Sequence, residues 1–264
     1  MKFKFLSVIA IIILVGSAYI IAISAETNSE TANKAESMQL KTGTWVKYHI
    51  KRNQKSEAAF KIIWESDFKI SIIDEKKQKG DKIYEVELVA WTEIINKGNE
   101  NTDNKTILKL FVNSLGEPQL DKIVIKHPNL SPLEIDLNLW AEKSGLSKEV
   151  LFKEITGSLL IIPFTAPLGL QPKQEKLAFN IKDKTEKLDC RRYIIEGSQN
   201  QIPTKMWFSY ELPFPCVAKM MIFEDPKGSS GSFQTQISLV EYDTKGAVTL
   251  IKDRPIKLNF KEKK

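Results

Sequence analysis

Histidine and cysteine are scarce in this chain, which has two of each among its 264 residues. Zinc proteases, thioredoxin-like oxidoreductases and serine hydrolases place reactive side chains in short motifs such as HExxH, CxxC and GxSxG, and none of these occurs here. A phosphate-binding P-loop is also missing. The sequence therefore predicts a protein that is not an enzyme, has no catalytic residues, and needs neither a cofactor nor a metal.

Charge of one sign is not concentrated anywhere along the chain. Lysine and arginine number 39 and aspartate and glutamate 33, and the two kinds alternate in stretches such as "IDEKKQKGDK" and "NIKDKTEKLD". Nucleic-acid-binding proteins usually carry a basic stripe or cluster, so the sequence predicts no nucleic-acid partner. Acidic pairs with spacing two, such as Glu85 and Glu87, are expected to be solvated charges on a strand, because Glu and Asp are mostly exposed.

One long hydrophobic run stands at the N-terminus, where Lys2 and Lys4 precede an apolar stretch over residues 5–25. A positive segment followed by an apolar one is typical of export, so residues 1–25 are expected to be a signal peptide or an N-terminal membrane anchor. Small residues around Ser24 would suit cleavage there, whereas an uncleaved run would tether the protein to the membrane. Either alternative predicts an exported protein, periplasmic or otherwise extracytoplasmic.

The rest of the chain is predicted to be mainly β. Polar residues 26–39 are expected to form a flexible tether, and residues 40–264 a single domain. From Leu40 onward short alternating segments recur between polar turns; in the first, Val46, Tyr48 and Ile50 alternate with polar neighbours. About eleven strands in a curved antiparallel sheet are expected, with a closed barrel or a sandwich as alternatives. A helical insertion around residues 132–157, with Ser147 as an N-cap, is expected to cover the concave face.

The two cysteines fall in the last third of the chain. In an oxidising compartment Cys190 and Cys216 could form a disulfide, provided that the strands bring their Cα atoms within about 7 Å; otherwise they are two buried thiols. Cys216 lies in "MWFSYELPFPCVAKMMIFED", where Pro213 and Pro215 suit a tight connection between two strands. Burial would raise the pKa of this thiol, so a packing position is expected rather than a nucleophile.

Large apolar side chains are plentiful, and aromatics dominate the cores of most β-domains. A curved sheet covered by helices can also leave an apolar cavity, and methionine suits the lining of a lipid site because its side chain adapts. The proline-broken segment Leu159–Leu170 would then act as a lid or plug. The residues expected to line such a cavity are Trp207, Phe208, Met220, Phe164, Trp91 and Trp140.

The segments "CRRYIIEG", "MWFSYELP", "VAKM" and "LVEYDTKGA", within Lys187–Val248, resemble bacterial exported proteins of uncharacterised type, with "GTWVKYHI" as weaker support. These look like relatives of the lipoprotein-carrier superfamily, the LolA/LolB-like proteins. The resemblance implies an unclosed antiparallel β-barrel whose apolar concave face is covered by helices and holds acyl chains. The partner that it implies is a lipid or an acylated molecule.

Two functions are compatible with these features. The first is a non-enzymatic carrier that binds a lipid or another apolar ligand inside the half-barrel. The second is a structural or interaction module of the cell envelope, with a filled core and a protein partner. An open apolar tunnel would favour the carrier, whereas a concave face filled by side chains would favour the module.

Overall fold

The computed structural model describes residues 40–55, 60–78, 80–93, 105–156, 162–167, 169–195, 204–224 and 232–258. The predicted signal or anchor and the predicted tether lie outside these ranges. The described residues form one sheet of twelve strands and two short helices. The prediction of a mainly β protein with a curved, unclosed antiparallel sheet is confirmed.

Six strands follow one another along the chain and pair in that order as an antiparallel meander. They are β1 (Trp45–Lys55), β2 (Phe60–Gln78), β3 (Asp81–Glu93), β4 (Lys105–Asn113), β5 (Lys122–Lys126) and β6 (Leu133–Asp136). The single 19-residue strand β2 contains both "FKIIWES" and "FKISIIDEK". The short strand β6 lies within the predicted helical insertion, where four residues are too few to show a period of two.

A second meander holds the next five strands, which are β7 (Lys173–Ile181), β8 (Lys184–Ile195), β9 (Thr204–Phe208), β10 (Val217–Glu224) and β11 (Ser232–Asp243). Pairing of β1 with β11 joins the two meanders into one sheet. The last strand, β12 (Ile256–Lys257), pairs in parallel with β6. The sheet therefore has two free edges, β12 and β7. Residues 247–253 form neither helix nor strand.

Two helices occupy the link between the meanders. Helix α1 (Leu137–Ser144) is N-capped by the Asp136 side chain and ends at Gly145, whose φ of 71° is left-handed. Helix α2 (Lys148–Thr156) is capped by Ser147, as the sequence predicts: the Val150 N–H donates to Ser147 Oγ at 3.3 Å. No helix among the described residues is long and apolar enough to span a membrane.

The sheet, which contains both meanders, curls so that one of its faces is concave and the other is convex. Alternation on β1 defines the faces: Val46 and Tyr48 are fully buried, whereas Lys47 and His49 are half-buried. Tyr242, opposite Val46 in the ladder, donates from its hydroxyl to Glu186 on β8 at 2.9 Å, although two strands separate β11 from β8. A contact of this kind requires strong curvature toward the Val46 side, which is therefore the concave side.

The main hydrophobic core lies on the concave face. It joins residues of both meanders to Leu137 of α1 and to Leu151 and Phe152 of α2. On α2, Leu151 and Phe152 are buried against this core, whereas Val150 is 42% exposed. The helices thus cover the concave face, as predicted.

Candidate functional site

Phe208 and Met220 are the two predicted lining residues that the sheet places on the concave face. Phe208 is 1% exposed and Met220 is 8% exposed. Met220 pairs with Met206 on β9 and with Ile237 on β11, and both partners are also buried in the core. These side chains pack against one another, so the concave face at this place is filled by the protein itself.

Trp207 precedes Phe208 on the same strand, and successive strand residues point to opposite faces. Its indole Nε1 donates to Glu175 Oε2 at 2.8 Å, and the ammonium of Lys219 lies 5.5 Å from the ring centroid. Arg192 binds the other oxygen of Glu175 at 2.8 Å. Trp207 is buried and belongs to the same main core as Phe208, but its indole nitrogen and its ring also contact the charged groups of this polar network.

Trp91 lies on the convex face, away from the other predicted lining residues. It packs at the border of a small second cluster formed by Val89, Ile107, Val124 and Ile251. The structure therefore does not bring Trp91 together with Phe208 and Met220. The sequence pattern could not show that Trp91 and Phe208 lie on opposite faces of the sheet, because the strands that carry them have buried side chains on both faces.

Phe164 is the predicted plug residue, and it is buried at 5% exposure. Its ring lies 5.0 Å from that of Phe214, with an angle of 56° between the planes. Residues 162–167, which we call the plug, contain neither helix nor strand. Phe214 belongs to the connection between β9 and β10, residues 209–216, which we call the β9–β10 loop. Trp140 on α1 packs at the edge of the same core.

Cys190 and Cys216 are free thiols in this structure, and both are buried. Strand register explains why a disulfide between them does not form. Arg191 and Val217 both pair with Phe208, so the next residue of the central chain, Ser209, lies between the two cysteines and its N–H donates to Cys216 O at 2.8 Å. Two strand spacings place their Cα atoms roughly 9–10 Å apart, which exceeds the limit of about 7 Å for a disulfide.

Neither thiol is suited to nucleophilic chemistry. Burial raises the pKa of Cys216 to about 12, and burial together with nearby acidic groups raises that of Cys190 to about 11. Both side chains therefore stay protonated at neutral pH. The Cys216 thiol donates to Leu212 O at 3.4 Å within the β9–β10 loop, which is a structural contact.

Two hydroxyl groups in the core have no hydrogen-bond partner in the described part of the chain. They belong to Tyr48 and Ser209, and both side chains are fully buried. The Ser209 N–H donates to Cys216 O at 2.8 Å. Burial, with a smaller contribution from Cys216, raises the pKa of Tyr48. Sequence reasoning missed this pair, because nothing in a strand pattern indicates which polar groups will lack a partner.

Glu87 corrects the expectation that the acidic pairs are solvated charges, because it is 1% exposed. Its carboxylate binds the Lys109 ammonium at 3.2 Å and accepts from the Leu250 N–H at 2.8 Å and from the Thr249 hydroxyl. Residues 245–258 cross the convex face and place Ile251 on the second cluster. We call this segment the strap; it buries Glu87 and gives it partners, which explains why the carboxylate tolerates burial.

The two histidines lie apart. His49 is on the convex face, where its Nδ1 lies 2.8 Å from Asp67 Oδ1, and Ser238 faces it on β11. Gln236 Nε2 donates to Ser238 Oγ at 2.9 Å on the same strand. This serine, histidine and aspartate are thus cross-strand neighbours on the convex face. Burial lowers the pKa of His127, whose Nδ1 lies 3.2 Å from Thr106 Oγ1.

Two surface clefts are lined by mostly polar side chains, and neither includes a predicted lining residue. One, of about 320 Å³, lies near Phe111, Lys122 and Asp136. The other, of about 690 Å³, separates the β7–β8 turn at Lys182 from Glu241 on β11. Within the described ranges, no three His, Cys, Asp or Glu side chains are grouped as a metal ion would require.

No protein-family model and no curated protein matches the chain. One of the solved structures that do match is described as "a putative lipoprotein from Parabacteroides distasonis". It is 8% identical, the match covers 78% of this chain and 97% of that chain, and the TM-score is 0.32. Membership of the lipoprotein-carrier superfamily therefore stays a prediction from the sequence.

Proposed function

We propose that this chain is an exported, non-enzymatic protein of the cell envelope that works by binding. Export is supported by the positive residues and the apolar run at the N-terminus. The absence of catalysis is supported by two buried, protonated thiols and by a histidine on an open sheet face. Expression of the full chain with fractionation into cytoplasm, membrane and periplasm tests export; recovery in the cytoplasm alone would contradict it.

The mode of binding that the geometry supports best is a protein partner on the outer surface. The single observation that carries this proposal is the filled concave face, where Phe208, Phe214 and Met220 pack against strands and helices within one continuous core. A core filled to this extent stabilises the fold and leaves a resident ligand no space in the described conformation.

Purification of the native protein from its own envelope, with and without a chemical cross-linker, tests this mode. We expect a defined cross-linked protein that mass spectrometry identifies repeatedly, and no stoichiometric lipid in an organic extract. Recovery of one bound lipid per chain, with no reproducible cross-linked protein, would contradict the proposal that this chain is an interaction module with a protein partner.

A second candidate is an apolar ligand that takes the place of the plug. It is favoured by one observation: Phe164, which fills the space beside Phe214, comes from a segment with no helix or strand that is interrupted by Pro163 and Pro167. Such a segment can move without breaking the sheet. Each methylene of an acyl chain buried in its place would contribute about 0.8 kcal/mol, less the contacts that Phe164 loses.

Titration of the purified full chain with a fluorescent fatty acid and a fluorescent acyl ester tests the second candidate. Saturable binding of either probe supports it. If neither probe binds to the parent protein or to the variant Phe164→Ala, the concave face has no role in ligand binding.

A further inference from the structure

Strand β7 is the long edge of the sheet that no other strand covers in the described part of the chain. The other edge, β12, has two residues, whereas β7 has nine and pairs among the described strands with β8 alone. Its sequence, "KQEKLAFNI", contains no proline, and its register with β8 has no bulge. Proteins commonly use short length, prolines and bulges to prevent an edge from pairing with a further strand. Strand β7 has none of these three.

The turn between β7 and β8 shows which backbone groups of β7 point away from β8. Lys182 and Asp183 both have a positive φ, 47° and 64°, which is the conformation of a two-residue type I′ turn. The pair that closes such a turn, Ile181 with Lys184, is hydrogen-bonded, and hydrogen-bonded pairs alternate along an antiparallel ladder. The residues whose N–H and C=O groups face outward are therefore the even-numbered ones, Gln174, Lys176, Ala178 and Asn180.

These outward groups form one side of an incomplete ladder. Among the described residues no strand pairs with this side of β7, and the side chains of its four even-numbered residues are exposed. Alternating N–H and C=O groups at the spacing of an extended chain are matched by another extended chain, which is the basis of strand addition. The occupant that this edge fits is therefore a β-strand.

A second copy of this chain supplies a strand whose charges fit. Two identical edges pair antiparallel about a two-fold axis that passes through one residue. An axis at Glu175 or Lys176 would place like charges directly opposite each other, which destabilises a strand pair. An axis at Leu177 places Lys176 opposite the neutral Ala178 of the second copy. Within its own chain, Lys176 is also paired with Asp189 at 3.2 Å.

The axis at Leu177 also completes the ladder. It places Lys176 opposite Ala178. It places Gln174 opposite Asn180, so every outward group of β7 has a partner in the second copy. An axis at Ala178 would leave Gln174 opposite the turn. With the axis at Leu177, the two Leu177 residues form a non-hydrogen-bonded pair, in which Cα atoms approach to about 4.5 Å and apolar side chains touch.

Charge at the ends of this pairing is complementary. The axis at Leu177 places Lys173 of the second copy at the level of Ile181, beside the cleft of about 690 Å³ whose lining includes Asp183. Lys182 and Glu241 bind each other across this cleft at 3.3 Å, whereas Asp183 has no ion-pair partner among the described residues. The carboxylate of Asp183 is therefore placed to attract Lys173 of the second copy.

We infer that β7 is a self-complementary docking edge, on which β7 of a second copy adds antiparallel with Leu177 at the two-fold axis. This inference rests on the first proposal, a protein partner on the outer surface, and it names that partner as a second copy of this chain. One strand from each copy makes a small interface, so a reversible dimer is expected.

Disulfide trapping of the variant Leu177→Cys tests the pairing directly. Two cysteines at the two-fold axis would have the Cα separation that a disulfide needs, whereas Cys190 and Cys216 are buried. With a mild oxidant, the protein recovered from expressing cells is expected to form a dimer that a reductant separates. The control is Lys187→Cys, which lies opposite Ala178 on β8, one strand inside the edge, and should stay monomeric. Equal trapping of the two variants, or none of Leu177→Cys, would overturn the inference.

Sedimentation equilibrium of the reduced protein over a range of concentrations measures the dimer without a cross-link. Lys176→Pro removes one outward N–H from each copy, and thus two hydrogen bonds per dimer, while the hydrogen bonds to β8 remain. It is expected to weaken dimerisation roughly thirtyfold. The matched control, Lys176→Ala, keeps the N–H and should dimerise like the parent. Urea midpoints of the two variants check that both are folded; equal dimerisation of the parent and a folded Lys176→Pro would contradict the pairing.

Cross-linking in the native envelope separates this inference from the proposal on which it rests. If the cross-linked product is a second copy and Lys176→Pro removes it, both are supported. If the product is a different protein and the parent sediments as a monomer, the inference is wrong while the first proposal stands. If no product forms and the parent is a monomer, the two fail together.

Discussion

Phe164 of the plug and Phe214 of the β9–β10 loop lie with their ring centroids 5.0 Å apart, at an angle of 56°. Aromatic pairs in tilted arrangements at this distance attract each other beyond the burial of their surface. This contact joins the segment between the two meanders to the connection of β9 with β10. The plug is therefore packed onto the concave core through this aromatic pair.

Replacement of Phe164 by alanine is expected to destabilise the protein by about 3 kcal/mol and to leave a cavity beside Phe214. Urea denaturation measures the first effect. An environment-sensitive apolar dye measures the second, and its fluorescence should rise on binding to the variant. Leu170→Ala is the control, because this exposed residue follows the plug and its loss should cost less than about 0.5 kcal/mol. A variant as stable as the parent would show that the plug contributes nothing to the core.

Removal of the Glu87 carboxylate is expected to release the strap. In Glu87→Ala, Lys109 keeps the Glu85 carboxylate and the Thr249 hydroxyl but loses one of its two carboxylate partners, and the backbone N–H of Leu250 loses its acceptor. Breaking one partner of a buried ion pair costs about 3–5 kcal/mol. Hydrogen exchange should accelerate at residues 249–251 more than in β3.

The control for the strap is Asp189→Ala, which removes a pair with Lys176 in which both side chains are largely exposed. Such surface pairs contribute about 0–1 kcal/mol, so this variant should unfold close to the parent midpoint. Equal destabilisation by the two substitutions would contradict the role given to Glu87.

The two cysteines are expected to stay reduced and unreactive while the protein is folded. A thiol reagent such as Ellman's reagent should label neither Cys190 nor Cys216 in buffer and both in urea, because burial excludes the reagent and raises the pKa of each thiol. Mass spectrometry of the exported, unreduced protein should show two free thiols. A mass lower by two hydrogens, together with a loss of stability on reduction, would show a disulfide and would contradict the conclusion that strand register keeps Cys190 and Cys216 apart.

Stability is expected to fall in acid because of Asp67 and Glu85. Burial raises the pKa of each carboxyl, but hydrogen bonds and charges from Lys47 and His49 at Asp67, and from Lys109 and Lys76 at Glu85, outweigh it and lower the pKa. A folded-state pKa below the unfolded value gives stability that is complete above the unfolded value and is lost as the pH falls through the folded one.

The free energy of unfolding should therefore be flat with respect to these groups near neutral pH and decline below about pH 4.5. Urea denaturation between about pH 7 and about pH 3 measures this decline. Asp67→Asn should be less stable at neutral pH and should lose less stability in acid than the parent. If the free energy of unfolding of Asp67→Asn depends on pH as steeply as that of the parent, Asp67 does not cause the loss of stability in acid.

Local pattern alone determined a large part of this protein. Alternation on β1 indicated that Val46, Tyr48 and Ile50 face inward, and it did so because strand side chains repeat every two residues. Ser147 indicated the start of α2, because the hydroxyl oxygen of an N-cap residue accepts a hydrogen bond from a free N–H group in the first turn of a helix. The prolines around Cys216 placed the connection between β9 and β10.

The tertiary structure decided what depends on partners distant in the chain. Trp207 and Phe208 are equally aromatic, and only the curl of the sheet and the position of the helices assign Phe208 to the filled concave face. Glu87 is buried because a strap 163 residues away covers it, and no local pattern carries that information. The separation of Cys190 from Cys216 follows from the register of β8, β9 and β10, and the two orphan hydroxyls follow from packing across the whole core. Such features depend on long-range contacts, which a sequence specifies only through the complete fold.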